Sequence, residues 1–427
     1  MTHYAVLGGG ITGVTSAYAL AKQGHRVTLI EKQRYPGMVT SFANGGQLSA
    51  SNAEVWNNPA TLIKGLKWMF KADAPLLMNP KPSWHKLSWM AEFVAAIPKY
   101  AENTITTTRL AIEAREHLHA WAAEEGISFD HQHAGILHIY RDKSGFDQAA
   151  KVSKLLAKGG LERRAVTPDE MRAIEPTLKG QYYGGFYTES DTTGDIHRFT
   201  TGLAKACERL GVTILTHTDA INVTADGHQA TVDVRYVDQP ERAQESLSFD
   251  ALVVCAGVKS RALATQLGDR LNVYPVKGYS ITVNLPDELS QQSAPQVSLL
   301  DDETKIVTSR LGKERFRVAG TAEFNGFNLD IRADRIRPLT QWVEKCFPGV
   351  DTRQSVPWAG LRPMMPNMLP RVGAGKLANV FYNTGHGHLG WTLSAITAHQ
   401  LADLVGQRET ESVTAVGQGF TQPGMAR

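Results

Sequence analysis

The stretch H-Y-A-V-L-G-G-G-I-T-G, from His3 to Gly13, decides the fold of this chain. Its first five residues, His3–Leu7, form a mainly apolar run that predicts a short strand. The glycines that follow have the spacing G-x-G-x-x-G, and Thr15–Gln23 then shows a helical pattern. A glycine-rich turn between a strand and a helix is typical of a dinucleotide-binding unit.

Each glycine of the motif has its own task. Gly8 permits the tight turn, Gly10 lets the backbone approach a pyrophosphate, and Gly13 lets the helix lie close to the sheet. The helix N-terminus offers N–H groups and a partial positive charge to the phosphates. A second strand, Arg26–Ile30, ends in Glu31, 18 residues after Gly13. An acid at this place accepts hydrogen bonds from a ribose and disfavours a 2′-phosphate, so we predict a bound dinucleotide.

Composition excludes several classes of protein. The 427 residues carry a net charge of only +3, which predicts no nucleic-acid partner. The three cysteines, Cys207, Cys255 and Cys346, are far apart and form no C-x-x-C pair, so we expect neither a disulfide framework nor a redox-active disulfide. We expect no signal peptide, since no charged region followed by an apolar stretch is seen before the first strand, and no apolar run reaches the ~18 residues that span a bilayer. We therefore expect a cytoplasmic location.

An aromatic segment leaves a membrane interpretation open. Residues 56–100 have a mostly helical pattern broken by prolines. The segment combines aromatic residues and lysines: Trp56, Trp68, Phe70, Trp84, Trp89 and Phe93 with Lys64, Lys67, Lys71, Lys81 and Lys86. Such a set suits either peripheral contact with an anionic membrane or a helical subdomain that buries its aromatics. The prolines rule out one long amphipathic helix and favour the second interpretation.

The remaining pattern predicts an α/β chain with two units. An apolar strand at Asp250–Cys255 runs into Ala256-Gly257, and a period-2 region at 273–356 predicts an antiparallel sheet with a hairpin around Gly312. We expect a Rossmann-like, discontinuous dinucleotide-binding domain and an α+β substrate-binding domain built on that sheet. The predicted division is 1–80, 145–272 and 357–427 for the first domain, with 81–144 and 273–356 for the second.

A second glycine-rich turn, T-G-H-G-H-L-G-W-T from Thr384 to Thr392, again feeds a helix. Its N–H dipoles are expected to face an electron-rich group. The H-x-H spacing of His386 and His388 is also found in metal sites. No third ligand is evident in the sequence, so we predict no metal.

Four further motifs carry a family resemblance that covers nearly the whole chain. They are T-S-F-A-N-G-G-Q-L-S (Thr40–Ser49), Y-P-V-K-G-Y-S (Tyr274–Ser280), W-A-G-L-R-P-M (Trp358–Met364) and N-T-G-H-G-H-L-G-W-T (Asn383–Thr392). With these motifs the chain resembles the FAD-dependent D-amino acid dehydrogenases of the small-subunit type. That group lies within the glycine oxidase and D-amino acid oxidase superfamily.

The resemblance implies FAD, which we expect to be bound noncovalently because Met364–Asn367 holds no cysteine where some relatives attach it. The implied FAD-binding residues are Gly8, Gly10, Ile11, Thr12, Gly13, Glu31, Lys32, Ser41, Asn44, Gly45, Gln47, Leu48, Ala256, Gly257, Gly385, Gly387, His388, Leu389, Gly390, Trp391 and Thr392. The second glycine-rich turn is implied to face the pyrimidine end of the isoalloxazine, where its dipole stabilises the reduced flavin.

The resemblance also implies the catalytic side chains. Arg362, in G-L-R-P, is expected to bind the substrate carboxylate through two parallel hydrogen bonds. Tyr279 is the candidate for a second carboxylate contact or a pocket wall, and His386 completes the catalytic set. Lys277 is expected either to neighbour the flavin or to be solvated. In the superfamily's usual mechanism the hydride passes directly from Cα to flavin N5, so no general base is required.

The implied activity is oxidative deamination of an amino acid, expected to be a D-amino acid, to a 2-oxo acid and ammonia. The electrons are expected to pass to a quinone or another carrier. Departures from the family pattern at Gly45, Ser49–Trp56 and His388 keep secondary, proline-like or N-substituted amino acids open as substrates. The motifs are also compatible with an oxygen-using amino acid oxidase and with a non-catalytic dinucleotide-binding protein. The sequence leaves the oligomeric state open.

Overall fold

The computed structural model describes residues 1–59, 61 and 75–418, with side chains up to residue 408. Its strands are β1 (His3–Leu7), β2 (Arg26–Ile30), β3 (Gln47–Leu48), β4 (Leu76–Met78), β5 (Ile136–Tyr140), β6 (Arg164–Val166), β7 (Gly184–Thr188), β8 (Thr192–Thr193), β9 (Thr213–Leu215), β10 (Thr218–Ala225), β11 (Ala230–Tyr236), β12 (Glu245–Phe249), β13 (Ala251–Val254), β14 (Tyr274–Asn284), β15 (Ser298–Asp301), β16 (Ile306–Leu311), β17 (Arg315–Phe324), β18 (Val356–Met364), β19 (Arg371–Ala374) and β20 (Val380–Thr384).

The described helices alternate with these strands through most of the chain. They are α1 (Ile11–Lys22), α2 (Trp84–Ala95), α3 (Tyr100–Glu124), α4 (Lys143–Lys158), α5 (Pro168–Ile174), α6 (Ile196–Arg209), α7 (Ser260–Gln266), α8 (Glu288–Ser293), α9 (Ala333–Cys346) and α10 (Gly390–Gln418). Short 3-10 turns occupy Ile97–Lys99, Gly257–Lys259 and Gly387–Leu389.

The first sheet is the predicted nucleotide-binding unit. Its strand order is β19-β20-β13-β1-β2-β9, and all neighbours are parallel except the edge pair β19–β20. Parallel strands end at the same edge of a sheet. Leu7, Ile30, Val254 and Thr384 therefore deliver the four predicted ligand-binding segments to one edge. The predicted Rossmann-like fold is confirmed.

Two glycines of the first turn are required by close packing. Gly8 has a φ of +105°, and a Cβ there would lie 2.8 Å from the carbonyl oxygen of Cys255. A Cβ on Gly13 would overlap the carbonyl oxygen of Gly8. These positions bring helix α1 against β1 and β13, as the motif predicts.

The second sheet contains the predicted antiparallel region. Its order is β18-β14-β17-β16-β15-β5-β7-β6, with β4 paired to β17. The hairpin β16–β17 is confirmed, but two neighbours, β15–β5 and β17–β4, are parallel, so this sheet is mixed. Helix α9 covers one face, where Leu339 and Trp342 join the core. The opposite face is turned toward the first sheet's ligand edge.

The strand pairing bears on the predicted division into domains. The sequence places 145–272 in the FAD-binding domain, yet β6 and β7 lie in this stretch and pair with β7 and β5 in the second sheet. The pairing argues for extending the second unit to residue 188. The division itself remains a prediction.

The described part of the aromatic segment contains strand β4 and helix α2, and it is partly exposed. Trp89 and Phe93 of helix α2 are buried, and the Trp89 ring N–H donates to the carbonyl oxygen of Met364 at 2.8 Å. Lys86, predicted as part of a basic surface, is instead buried and donates to two backbone carbonyls at 2.6 Å each. Trp84 is 80% exposed. Trp68, Phe70, Lys64, Lys67 and Lys71 of the predicted patch lie outside the described residues.

None of the described helices is both long and apolar enough to cross a bilayer.

Candidate active site

One cavity of about 920 Å³ joins the ligand edge of the first sheet to the second sheet. Its walls are the turn at 8–12, the segment 37–58, the turn at 384–392 and one face of strands β14, β16, β17 and β18. Pockets of this size hold drug-sized or larger ligands. Every element that the sequence predicted to bind a ligand contributes to this cavity.

The first glycine-rich turn leaves room beside the helix N-terminus. The Ile11 N–H donates to Ser41 Oγ at 2.9 Å, which joins the turn to the predicted segment 41–48. The nearest atom to a Cβ built on Gly10 is that hydroxyl, 3.6 Å away. The backbone of Gly10 and Thr12 therefore borders open space, as required for close approach of a pyrophosphate.

Glu31 lies at the end of β2, in the cavity wall. Its carboxylate accepts from the Gly9 N–H at 2.5 Å and from the Gln33 N–H at 2.7 Å. Burial raises the pKa of Glu31, and these two N–H groups oppose that rise. The neighbouring Lys32 also lines the cavity, but its ammonium pairs with Asp219 at 3.0 Å.

The segment 41–48 is fixed to the second sheet. Gln47 donates to Ser298 Oγ at 2.8 Å, and its own side-chain oxygen is buried without a partner in the structure. Asn44 turns its side-chain oxygen to the Gly46 N–H at 2.9 Å, while a Cβ on Gly45 would contact Val307. Leu48 is fully buried in the first sheet's core.

The second glycine-rich turn faces the same space. Gly385, Gly387, Leu389, Gly390, Trp391 and Thr392 all line the cavity, together with Ala256 and Gly257 from the end of β13. The hydroxyl of Thr392 accepts from the Ser49 N–H at 3.4 Å. Trp391 is 2% exposed, and its ring N–H has no partner in the structure. A buried unpaired donor indicates that a ligand completes the site.

The two histidines of this turn contact different residues. His386 Nε2 lies 2.9 Å from Thr397 Oγ1, whereas His388 stacks on Trp56 with ring centroids 4.9 Å apart. Burial lowers the pKa of His386 to about 3 and that of His388 to about 4, so both are neutral at pH 7. Among the described residues no group of side chains is arranged to hold a metal ion.

Arg362 projects into the cavity from β18. Its guanidinium donates to the carbonyl oxygen of Thr321 at 3.0 Å and occupies the space above Gly278, where a Cβ would overlap it. Within the described part of the chain no carboxylate pairs with Arg362. Burial lowers its pKa to about 10, which leaves it charged at neutral pH. A half-buried cation without an anion is suited to an anionic ligand.

Tyr279 lies on the opposite face of the same sheet. It is 1% exposed, belongs to the core under helix α9, and donates its hydroxyl to Glu323 at 2.7 Å. Side chains alternate along a strand, so Gly278 and Tyr279 face opposite sides. The structure therefore does not bring the Tyr279 hydroxyl to Arg362. Tyr279 is nevertheless among the residues that line the cavity, which fits the predicted pocket wall better than the predicted second carboxylate contact.

Sequence reasoning missed three residues of the cavity wall. Trp56, part of the aromatic segment, stacks on His388. Gly278 has no side chain, and the Arg362 guanidinium fills the space that a side chain there would occupy. Thr321 is a β-branched residue at φ +59°, and its buried hydroxyl has no partner in the structure. Strained backbone of this kind is concentrated at functional sites. Trp56 ends the segment Ser49–Trp56, where the sequence departs from the family pattern, and Gly278 lies in the motif Tyr274–Ser280, whereas no pattern in the sequence pointed to Thr321.

A family model described as FAD dependent oxidoreductase matches residues 3–404. The chain belongs to the FAD-dependent oxidoreductase family. The predicted cofactor is confirmed by this match, and the protein is an oxidoreductase. The open backbone at Gly10 and the unpaired Trp391 N–H fit the bound dinucleotide of such an FAD-dependent oxidoreductase.

Relatives of this FAD-dependent oxidoreductase confirm the resemblance seen in the sequence. The chain is 58% identical over 413 residues to D-amino acid dehydrogenase 3 of Mesorhizobium japonicum, covering 95% of this chain and 97% of the relative. It is 39% identical over 412 residues to the D-amino acid dehydrogenase of Dechloromonas aromatica, covering 95% and 97%.

Solved structures support the same fold. Glycine oxidase from Bacillus cereus matches with a TM-score of 0.70 and 20% identity, covering 96% of each chain. L-proline dehydrogenase from P. horikoshii matches with a TM-score of 0.73 and 16% identity, covering 95% of this chain and 93% of that one. At such identities the likeness shows the fold alone.

Proposed function

We propose that this FAD-dependent oxidoreductase oxidises a D-amino acid to the 2-oxo acid and ammonia. The observation that carries the proposal is Arg362, a cation in the cavity without a protein anion among the described residues. The D-amino acid dehydrogenases that are 58% and 39% identical to the chain support this substrate class. The predicted site residues all lie at or beside the cavity and are proposed to act there, with Tyr279 as part of its wall.

The chain's own residues bind and orient the substrate. Arg362 donates two parallel hydrogen bonds to the substrate carboxylate, which fixes its direction as well as its position. The neutral rings of His386 and His388 add no competing positive charge near that carboxylate. The two glycine-rich turns, at residues 8–12 and 385–392, would hold FAD, which would supply the acceptor for the hydride that leaves the substrate Cα. Water then hydrolyses the imino acid, which releases ammonia and the 2-oxo acid.

An anaerobic flavin-bleaching screen tests the proposal. The yellow holoenzyme is mixed with D-, L- and N-substituted amino acids, and the flavin absorbance is followed. We expect D-amino acids to bleach it and their L-enantiomers to leave it unchanged. Bleaching by proline-like or N-substituted amino acids alone would identify a dehydrogenase of secondary amines. Absence of bleaching by every amino acid would reject the proposal.

The electron acceptor is proposed to be a quinone or another carrier. Peroxide formed at the rate of turnover in air would instead identify an oxidase. A specific surface favours an acceptor in or near a lipid bilayer. Helix α2 exposes an apolar face formed by Trp84, Leu87, Ala91 and Val94, and the first, second and fourth are 80%, 51% and 48% exposed.

Two lysines, Lys81 and Lys99, flank the two ends of this helix and are exposed. An apolar helix face with flanking lysines suits peripheral contact with an anionic bilayer, where each lysine near the surface contributes about 1 kcal/mol. We therefore propose that helix α2 lies on the cytoplasmic leaflet of a membrane.

A further inference from the structure

A buried polar cluster lies behind the cavity, on the α9 side of the second sheet. Lys277 is 0% exposed, and its ammonium lies 3.4 Å from Glu323 Oε1. The other carboxylate oxygen of Glu323 accepts from the Tyr279 hydroxyl at 2.7 Å. Burying an ion pair costs desolvation free energy that the attraction only partly recovers. The ion pair therefore contributes little to the free energy of folding, which indicates that the cluster serves to fix the local structure.

The ammonium of Lys277 holds the segment 325–331, which we call the strap. Lys277 donates to Asn328 Oδ1 at 2.7 Å and to the carbonyl oxygen of Asp330 at 3.2 Å. Asn328 in turn donates to Asp330 Oδ2 at 2.7 Å. The strap follows β17 directly, so its path depends on these polar contacts at one end and on the strand at the other.

Two side chains of the strap line the same cavity as Arg362. Phe327 and Leu329 line the cavity and are also 60% and 51% exposed to solvent. Apolar side chains so exposed contribute little burial to hold the strap down. Polar contacts therefore hold the strap: besides the two hydrogen bonds from Lys277, Asn325 donates to Glu323 at 2.9 Å and accepts from Asn79 at 2.7 Å, and the Tyr279 hydroxyl lies 3.4 Å from the Asp330 carbonyl oxygen.

The same cluster reaches Arg362 by a second path. Glu323 follows Thr321 by two residues in β17, and the Thr321 carbonyl oxygen accepts from the Arg362 guanidinium at 3.0 Å. Thr321 adopts φ +59°, which a β-branched residue keeps only when its surroundings hold it there. Fixing Glu323 from behind the sheet therefore helps to hold the carbonyl that orients Arg362.

We propose that Lys277 is a positioning residue of the substrate site. It fixes the strap in the cavity wall and, through Glu323, the Thr321 carbonyl that orients Arg362. Tyr279 helps to fix Glu323 as well, through the hydrogen bond from its hydroxyl to the Glu323 carboxylate. The substrate then binds to a site that is already ordered, which lowers the free-energy cost of binding. As far as it concerns an amino acid substrate, the proposal rests on the proposed function.

The test compares Lys277→Met with wild type in the FAD-loaded full chain. One readout is amide hydrogen exchange in the strap, and the other is the substrate concentration for half-maximal bleaching. We expect both to rise about tenfold, since a hydrogen bond to a charged group contributes about 1.5–3 kcal/mol. The bleaching rate at saturation is expected to change far less. Lys277→Arg should restore part of both effects, and Lys313→Met, on the exposed hairpin turn, should change neither.

A second variant covers the case in which Lys277→Met does not fold. Asn328→Ala removes the strap's side-chain partner of Lys277 from a half-exposed position, and the same two increases are expected. Wild-type exchange in the strap with wild-type substrate affinity in this variant would overturn the inference. If no amino acid bleaches even the wild type while the strap exchanges faster in the variants, the proposed function fails and the attachment of the strap stands.

Discussion

The guanidinium of Arg362 occupies the volume that a side chain at Gly278 would need. Gly278 and Gly360 face each other in the β14–β18 pair, and Arg362 extends over Gly278 to reach the Thr321 carbonyl. A glycine in the middle of a strand weakens the strand. Here its lack of a side chain allows the proposed carboxylate-binding group to lie flat against the sheet.

Gly278→Ala is therefore expected to displace Arg362 without removing its charge. We expect the substrate concentration for half-maximal bleaching to rise about tenfold or more, as for one charge-assisted hydrogen bond lost. FAD content should remain that of the wild type. In an Arg362→Ala background the same change should have little further effect, because the group it displaces is gone. Additive effects in this cycle would show that Gly278 does not act through Arg362.

Arg362→Lys tests whether the bond pattern or only the charge is needed. Lysine keeps the positive charge but cannot donate two parallel hydrogen bonds. We expect the second-order rate constant for bleaching to fall about 100-fold, as for roughly 3 kcal/mol of lost transition-state binding. Arg353→Lys, at an exposed site paired with Asp351, is the matched control and should retain wild-type rates. Equal rates in both variants would remove Arg362 from the substrate site.

The first turn allows a matched pair of glycine variants. A Cβ on Gly13 overlaps the Gly8 carbonyl, whereas a Cβ on Gly10 meets only Ser41 Oγ at 3.6 Å. Gly13→Ala should disrupt folding of the chain. Gly10→Ala should leave the thermal stability of the FAD-free protein within about 1 kcal/mol but weaken FAD binding, because the methyl group enters the space beside the helix N-terminus. Titration with FAD, followed by flavin fluorescence, measures the difference. Unchanged FAD affinity in Gly10→Ala would place the pyrophosphate elsewhere.

Local sequence patterns were sufficient to predict those parts of the site that are built from contiguous residues. The strand, glycine turn and helix at 3–22 involve contiguous residues, and the same holds for the turn at 384–392 and helix α10. The structure puts both at the predicted edge of the first sheet. Helix α3 contains Thr104, Thr107 and Thr108 in its first part, and threonine is a residue with a low helix propensity. The last two donate their hydroxyls to carbonyls four residues earlier and remain helical.

The parts of the site that the sequence did not predict depend on pairing between strands that are far apart in the chain. Alternation along β14 separates Lys277 and Tyr279 from Gly278, but it does not tell which face meets the cavity. That depends on where β17, β18 and helix α9 pack. Lys277, predicted to neighbour the flavin or be solvated, is instead buried with Glu323. The room for Arg362 above Gly278 likewise exists only because residues far apart in the chain pair in register.

His386 makes the stability of the protein depend on pH. Its pKa falls from the ordinary 6.5 to about 3 on folding, so between these values the unfolded chain binds a proton that the folded chain excludes. Stability therefore rises with pH across this window and is lost as pH falls below 6.5. Between pH 7 and pH 5 the titration of this one group lowers the free energy of unfolding by about 2 kcal/mol.

The measurement is urea unfolding of the FAD-loaded protein at pH 7 and pH 5. His386→Gln, which keeps a hydrogen-bonding group for Thr397 but does not titrate, should reduce the loss of stability between the two pH values by about 2 kcal/mol. His228→Gln, at an exposed turn, is the control and should leave the pH dependence unchanged. The same loss in His386→Gln as in wild type would assign the pH dependence to other groups.

The exposed face of helix α2 predicts a salt-dependent membrane contact. Trp84 and Leu87 supply the apolar part, and Lys81 and Lys99 supply the charge. The protein should therefore pellet with phosphatidylglycerol vesicles at low salt and be released in part as salt screens the lysines. The double variant Trp84→Ser with Leu87→Ser should lose most of the pelleted fraction and keep wild-type bleaching, because neither side chain lines the cavity. Leu289→Ser removes a leucine that is 75% exposed from helix α8 and should pellet as the wild type does. A wild-type protein that stays wholly in the supernatant at low salt would refute the contact, and an acceptor soluble in water would then be required.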